Sequence, residues 1–294
     1  MTPEEPRYPY VAITIAEADA EEASAVLFDL GALGIEQRDA ATHGASVGPG
    51  AVVLVASFEA QADARAALTE LPPAWQARIE EVVGDAWRDA WKEHFEPFVL
   101  CERQGTAIVV RPPWREVAAS EGQRVVVLEP GRAFGTGLHE TTRLVAEALA
   151  ENDALAGARV LDVGCGSGIL ALTALALGAA GVRAIDVDPD AVAVTRENAE
   201  RNGWVERLDA DTATLDTLSG TYPVVVANIE ARPLIQLAPL LVSRVAAGGV
   251  LVLSGILAPD VAPAQWPDVR RAYAPLALHG TRRRGEWIAA VLGA

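Results

Sequence analysis

Asp162, Gly164, Gly166, Gly168 and Asp186 are residues of the right type and spacing to hold a ligand. Val160 to Val163 is apolar or β-branched apart from Asp162, as a buried parallel strand reads, and the three glycines follow before an Ala- and Leu-rich helix begins. Glycines at alternate positions let a backbone turn sharply and come within contact distance of a ligand, because no Cβ stands in the way. Asp186 lies near the end of the next strand, Val182 to Val187, about twenty residues beyond the glycines, where an acid accepts both hydroxyls of a ribose.

The charge of that ligand follows from the same residues. A dinucleotide fingerprint G-x-G-x-x-G counted from Gly164 would place its last glycine on Ile169, so the pattern fails. Asp162 would also face the pyrophosphate that such a turn normally attracts. A cation suits the turn better. S-adenosylmethionine has no phosphate and carries a sulfonium and an ammonium group, which fits an acidic strand end beside an open glycine turn.

Asn228 closes the apolar run Tyr222 to Asn228, at the carboxyl end of a strand where open α/β sheets place ligand contacts. It either touches the reacting group or caps the following helix. Glu129 to Thr142 is rich in glycines and hydroxyls, suited to closing over a ligand or to starting the helix Arg143 to Ala150 through Thr141 or Thr142. His139 in that loop is either a proton acceptor or a packing residue. Asp188-Pro189 reads as an N-cap with proline at the first helical position, ahead of Ala191 to Asn202. Cys165 reads as a packing residue, since no base is placed beside it. His94 has no metal-ligand spacing around it, and no metal is expected.

The elements that must position these groups fall into two parts. Tyr8 to Ile15, Glu17 to Leu30, Gly34 to Arg38, Ala51 to Phe58, Ala60 to Leu71 and Arg78 to Val83 read as strand, helix, two strands, helix and strand. That is a ferredoxin-like order, common in recognition modules. Asp85 to Phe95 places Trp87 and Trp91 on one face of a linker helix. Strands are expected at Phe98 to Cys101, Ala107 to Arg111 and Arg124 to Leu128, the short ones pairing ahead of the catalytic domain. Val250 to Leu253 reads as another strand, and Arg270 to Ala274 with Gly285 to Leu292 as an antiparallel edge pair. The second part is an α/β, Rossmann-like sheet.

Composition excludes several classes. A chain of 294 residues has room for two domains, and at 51% hydrophobic residues it can bury large cores. A net charge of −16, with Arg282 to Arg284 as the dense basic run, argues against direct nucleic-acid binding and favours a basic protein partner. Two cysteines, Cys101 and Cys165, are too few for a disulfide framework and are expected reduced. Met1 to Arg7 lacks the basic start and apolar run of a secretory signal, and no apolar stretch is long enough to span a bilayer, so a soluble cytoplasmic protein is expected.

Four segments carry a family resemblance: Glu129 to Thr142 (E-P-G-R-A-F-G-T-G-L-H-E-T-T), Leu161 to Leu170 (L-D-V-G-C-G-S-G-I-L), Ala184 to Pro189 (A-I-D-V-D-P) and Ala227 to Ile229 (A-N-I). They resemble motifs of the bacterial ribosomal protein L11 methyltransferase (PrmA) family, and the resemblance spans nearly the whole chain. It implies a ferredoxin-like substrate-recognition domain over 1–84, a linker helix over 85–97 and a Rossmann-like methyltransferase domain over 98–294. It also implies S-adenosylmethionine at Thr142, Gly164, Asp186 and Asn228, and methylation of lysine side chains and the N-terminal amine of the large-subunit protein L11. Many relatives have proline where this chain has Glu140, and Arg232 stands where they often have a small residue. A related methyltransferase with another acceptor, or an idle cofactor-binding protein, are the alternatives.

Overall fold

The computed structural model describes residues 7–38, 48, 50–58, 60–83, 95–129, 135 and 137–294. The chain divides into two units, Met1–His94 and Phe95–Ala294. The tryptophan-bearing linker helix expected over 85–97, with His94, falls on residues 84–94, outside those described; 95–97 are described and are not helical.

The first unit runs β1 (Arg7–Ala16), α1 (Ala20–Asp29), β2 (Gly34–Arg38), β3 (Ala51–Ser57), α2 (Gln61–Glu70) and β4 (Arg78–Val83). Its sheet is antiparallel throughout with order β2-β3-β1-β4, the ferredoxin-like arrangement expected. Alternation along β3 explains the packing: Val52, Leu54 and Ala56 are wholly buried and meet Ile13, Leu27 and Ala64. Helix α1 stops where Gly31 turns to φ +93°, which lets the Ala32 amide donate to the Leu27 carbonyl at 3.0 Å.

The second unit begins with a small three-stranded sheet. β5 (Phe98–Arg103) and β6 (Thr106–Arg111) form an antiparallel hairpin, and β7 (Gln123–Val127) joins β6 in parallel. Then follow α3 (Glu140–Ala150), β8 (Arg159–Val163), α4 (Ile169–Ala176), β9 (Gly181–Ile185), α5 (Pro189–Arg201), β10 (Leu208–Asp211), β11 (Tyr222–Asn228), α6 (Ala231–Arg244), β12 (Val245–Leu257), α7 (Gln265–Ala272), β13 (Ala277–Arg284) and β14 (Trp287–Gly293).

The large sheet has the order β10-β9-β8-β11-β12-β14-β13, with β10 to β12 parallel and β14 and β13 antiparallel. Side chains alternate between two cores. Val160, Val224 and Val226 join residues of α3, α4 and α5 on one face, while Leu161, Val225 and Leu253 join residues of α6 and α7 on the other. The chain leaves the sheet centre in opposite directions from β8 and β11. Ligands of open α/β sheets bind in the crevice that this reversal opens at the strands' carboxyl ends.

One expected element is corrected. Arg270 to Ala274 is not an edge strand: 270–272 end α7, and the antiparallel pair is β13 with β14. Val269 and Tyr273, four apart, are both fully buried, so the apolar positions follow a helical spacing. The Tyr273 hydroxyl donates to the Leu234 carbonyl at 2.8 Å and fastens this segment to α6. β12 also runs well beyond Val250 to Leu253 at both ends. No helix among the described residues is long and apolar enough to cross a membrane.

Candidate active site

Strand β8 delivers the glycine turn to the crevice. The Gly164 and Cys165 amides donate to the Ile185 carbonyl at 2.8 and 3.2 Å, stitching the turn to the end of β9. Gly164 has φ +75°, and a Cβ there would collide with the Ile229 side chain, so both backbone and packing require glycine. Gly168 begins α4 in the left-handed region and packs on Thr195.

Asp186 follows β9 directly and its carboxylate is held on both sides. Gly166 N donates to Oδ2 at 2.9 Å and Asp188 N to Oδ1 at 3.0 Å. Asp188 caps α5 by accepting from Asp190 N at 2.9 Å, with Pro189 at the first helical position, as its sequence reads. Two residues that the sequence did not single out brace the turn from behind. The Thr195 hydroxyl donates to the Gly166 carbonyl at 2.9 Å, and the buried Asn198 amide donates to the Ser167 carbonyl at 3.0 Å while accepting from Glu129 N at 3.0 Å. Ser167 Oγ donates to the Gly135 carbonyl at 2.5 Å and ties the preceding glycine-rich loop to the same turn. Residues 130–134 and 136 of that loop lie outside those described.

Asp162 is 1% exposed, and neither carboxylate oxygen has a hydrogen-bond partner of normal geometry. Burial pushes its carboxyl up to about 7, the Ala171 backbone pulls it down, and the nearby Asp186 charge adds to the rise. A buried orphan carboxylate is costly unless a positive charge comes to it. Cys165 is also buried, its thiol pushed up to about 12 by desolvation and by Asp162, which makes it inert as a nucleophile. Cys101 rises to about 12 for the same first reason.

A cavity of about 610 Å³ opens at the reversal point, a size suited to a nucleoside ligand. Gly164, Gly166, Asp186, Asn228, His139 and Trp287 are among the residues that line it. Asp162, Thr142 and Gly168 are not part of that lining, and Thr141 rather than Thr142 reaches it. Asn228 is half-buried at the end of β11, and no described residue hydrogen-bonds its amide. It is not a helix cap, because Glu230 occupies the N-cap position of α6. Ile229 is wedged between Gly164 and Gly255, since a Cβ at Gly255 would strike the Ile229 carbonyl.

His139 is the N-cap of α3. Its Nδ1 accepts from Thr141 N at 3.3 Å and sits 2.8 Å from Thr141 Oγ1, and its ring meets Trp287 edge-on with centroids 5.1 Å apart. Accepting that amide leaves the neutral ring's proton on Nε2. Asp209 and Asp211 clamp Arg183 at 2.8 and 2.6 Å and belong to the strand pair β9 and β10, not to the cavity. Arg232 is exposed on a separate shallow groove beside α6. The basic run is spent on acids: Arg282 pairs with Glu151, Arg283 with Asp260 at 2.8 Å and Arg284 with Glu147 at 2.6 Å. Among the described residues no three His, Cys, Asp or Glu side chains gather as a metal site requires.

A sheet of this order, with a glycine turn after its first strand and an acid after its second, defines a Rossmann-like methyltransferase that uses S-adenosylmethionine. The family model described as "Ribosomal protein L11 methyltransferase (PrmA)" matches residues 7–293, and the chain belongs to that family. A protein named ribosomal protein L11 methyltransferase from Sorangium cellulosum is 55% identical, over 86% of this chain and 80% of its own length. One of the same name from Klebsiella pneumoniae is 39% identical over 92% of this chain and 93% of its own. A crystal structure of ribosomal protein L11 methylase from Lactobacillus delbrueckii subsp. bulgaricus superposes with a TM-score of 0.59 at 30% identity, covering 67% of this chain and 98% of that one.

Proposed function

We propose that this protein transfers methyl groups from S-adenosylmethionine to amines of the large-subunit ribosomal protein L11, lysine side chains and the N-terminal amine included, in the cytoplasm. One observation carries the reading: in a chain of this family, the Asn228 amide faces the same cavity as Gly164 and Asp186. Gly164, Gly166 and Asp186 hold the nucleoside portion of the cofactor, and Asp162 supplies negative charge toward its cationic end. Thr142, buried in the first turn of α3, and Gly168, which starts α4, complete the proposed cofactor site.

When bound, the cofactor supplies an electrophilic methyl on sulfur. The acceptor must arrive at it as a neutral amine with its lone pair aimed in line. Asn228 Oδ1 accepts one amine hydrogen and so orients the lone pair, which is catalysis by positioning. Proton acceptance by His139 at Nδ1 would compete with its cap on α3, so that role comes at the expense of the helix start.

Two tests follow. Asp186→Ala removes the acceptor for the ribose hydroxyls and should weaken S-adenosylmethionine binding by ~1–3 kcal/mol. Unchanged affinity by calorimetric titration, in a variant that still melts cooperatively, would overturn the assignment. For the whole reaction, labelled S-adenosylmethionine is incubated with total ribosomal proteins, and the label should enter L11. We assign recognition of the protein acceptor to residues 1–84, connection to residues 85–97 and methyl transfer to 98–294. A variant lacking residues 1–84 should therefore still bind the cofactor and lose most of the label. Label in another band, or full labelling by the shortened chain, would overturn the substrate or the division of labour respectively.

A further inference from the structure

Two carboxylates, Asp186 and Glu230, are the charged side chains in the described lining of the cavity, with no arginine or lysine among them. Asp186 is already held by the Gly166 and Asp188 amides. Glu230 is not held. It occupies the N-cap position of α6, yet its side chain caps nothing, and it is exposed. No described residue forms a hydrogen bond or ion pair with its carboxylate. Its backbone is fixed, because its carbonyl accepts from Leu234 N at 3.1 Å to start the helix and the preceding Ile229 is wedged between Gly164 and Gly255. The positive end of a fourteen-residue helix favours negative charge there. An unpaired carboxylate on a fixed backbone thus stands at the exposed edge of the cavity, two positions beyond Asn228.

We propose that Glu230 selects cationic acceptor side chains, receiving the ammonium form at the cavity edge before the amine reaches Asn228. The inference rests on the amine-methylating function given above and adds a residue that sets which acceptors enter. A lysine has a solution pKa of ~10.4, so near neutral pH the species that arrives is the cation. A carboxylate attracts that cation, and the pairing also holds the proton on. Contact with Glu230 during methyl transfer would therefore slow the reaction, so its benefit is confined to the encounter. Glu230 is accordingly a positioning residue whose effect appears in KM, while Asn228 acts in kcat. Its attraction is that of a rim charge, screened by salt.

The test is steady-state methylation of purified ribosomal protein L11 by the full-length protein and by Glu230→Gln and Glu230→Asp, at low and at high ionic strength. Glu230→Gln should raise KM for L11 by about fivefold at low salt. Its kcat and its affinity for S-adenosylmethionine should stay as in the wild type. High salt should raise the wild-type KM toward that of Glu230→Gln, and Glu230→Asp should restore most of the loss. Turnover by the wild type with an unchanged KM in Glu230→Gln overturns this inference alone. So does a loss confined to kcat or to cofactor affinity, or a KM defect that Glu230→Asp does not relieve. Absence of any turnover on L11 by the wild type overturns the proposed function and this inference with it.

Discussion

Asn228→Ala should lose roughly 10²-fold in kcat at saturating S-adenosylmethionine, the size expected when a nucleophile is no longer held in line. Affinity for the cofactor should change less than turnover, because a contact made best in the transition state appears in kcat. The structure makes the effect local. The amide has no hydrogen bond to a described residue, and the half-buried side chain stands at the end of a strand whose preceding residues Val224 to Ala227 are fully packed. Truncation therefore takes an acceptor from the cavity without removing a cap or opening the core. Single-turnover methylation and cofactor titration, run on the same preparation, separate the two quantities. A variant that binds cofactor poorly yet turns over normally once saturated would make Asn228 a cofactor ligand and pass the aiming role to a backbone carbonyl or to His139.

Asp162→Asn should produce the second large effect, and its sign depends on pH. In the fold the carboxyl is pushed up to about 7 by burial, against 3.8 for an unperturbed aspartate. Below the lower value both folded and unfolded chains hold the proton. Between the two, the unfolded chain releases it and the folded chain keeps it, so stability falls as pH rises through that window and levels off above about 7. Asparagine does not titrate. Asp162→Asn should thus gain stability over the wild type between pH 5 and pH 8 by ~3 kcal/mol, measured by urea unfolding without cofactor. Part of the gain is offset at every pH by burying an unsatisfied amide, which is why the change with pH is the quantity to read. The ionised carboxylate is also the form that attracts a cationic ligand, so wild-type affinity for S-adenosylmethionine should tighten as pH rises through about 7. A stability difference that does not vary with pH would mean that Asp162 is ionised in the fold throughout.

Much of this architecture was legible because the signals are local. The run Val160 to Val163, the glycines after it and Asp188-Pro189 each carry their reason within a few residues, and the structure places them as a strand, a turn and a capped helix. The β-forming run Ala51 to Phe58 was equally readable, and the structure forms β3 over Ala51–Ser57 with one face buried. Signals were weaker where a tertiary partner decides. β13 contains Gly280 and three arginines and carried no strand reading, and it becomes a strand because β14 pairs with it and Glu147, Glu151 and Asp260 neutralise the arginines. The adjacent α7 has no side-chain cap and is held by Tyr273 reaching Leu234, a contact invisible in sequence. Within the cavity the missed residues include Thr141, Thr214, Trp287 and Glu230. Trp287 opens the last strand, far along the chain from the glycine turn, and no spacing rule links the two. Glu230 was readable only as the residue after Asn-Ile, and its free carboxylate emerges from the N-cap geometry of α6.

The wedge of Ile229 between Gly164 and Gly255 means that the cavity belongs to neither half of the large sheet. Its floor comes from β8 and β9, and its far wall from β11, β12 and β14. A ligand seated there acts as a clasp across the paired central strands β8 and β11, so neither half can separate from the other without giving up the bound molecule. By mass action, a ligand at a hundred times its dissociation constant adds ~2.7 kcal/mol to the native state. The clasp assigns that gain to the whole of residues 95–294 rather than to the glycine turn alone. Cofactor supply therefore adds to the resistance of the unit to global unfolding, including β13 and α7, which line no part of the cavity.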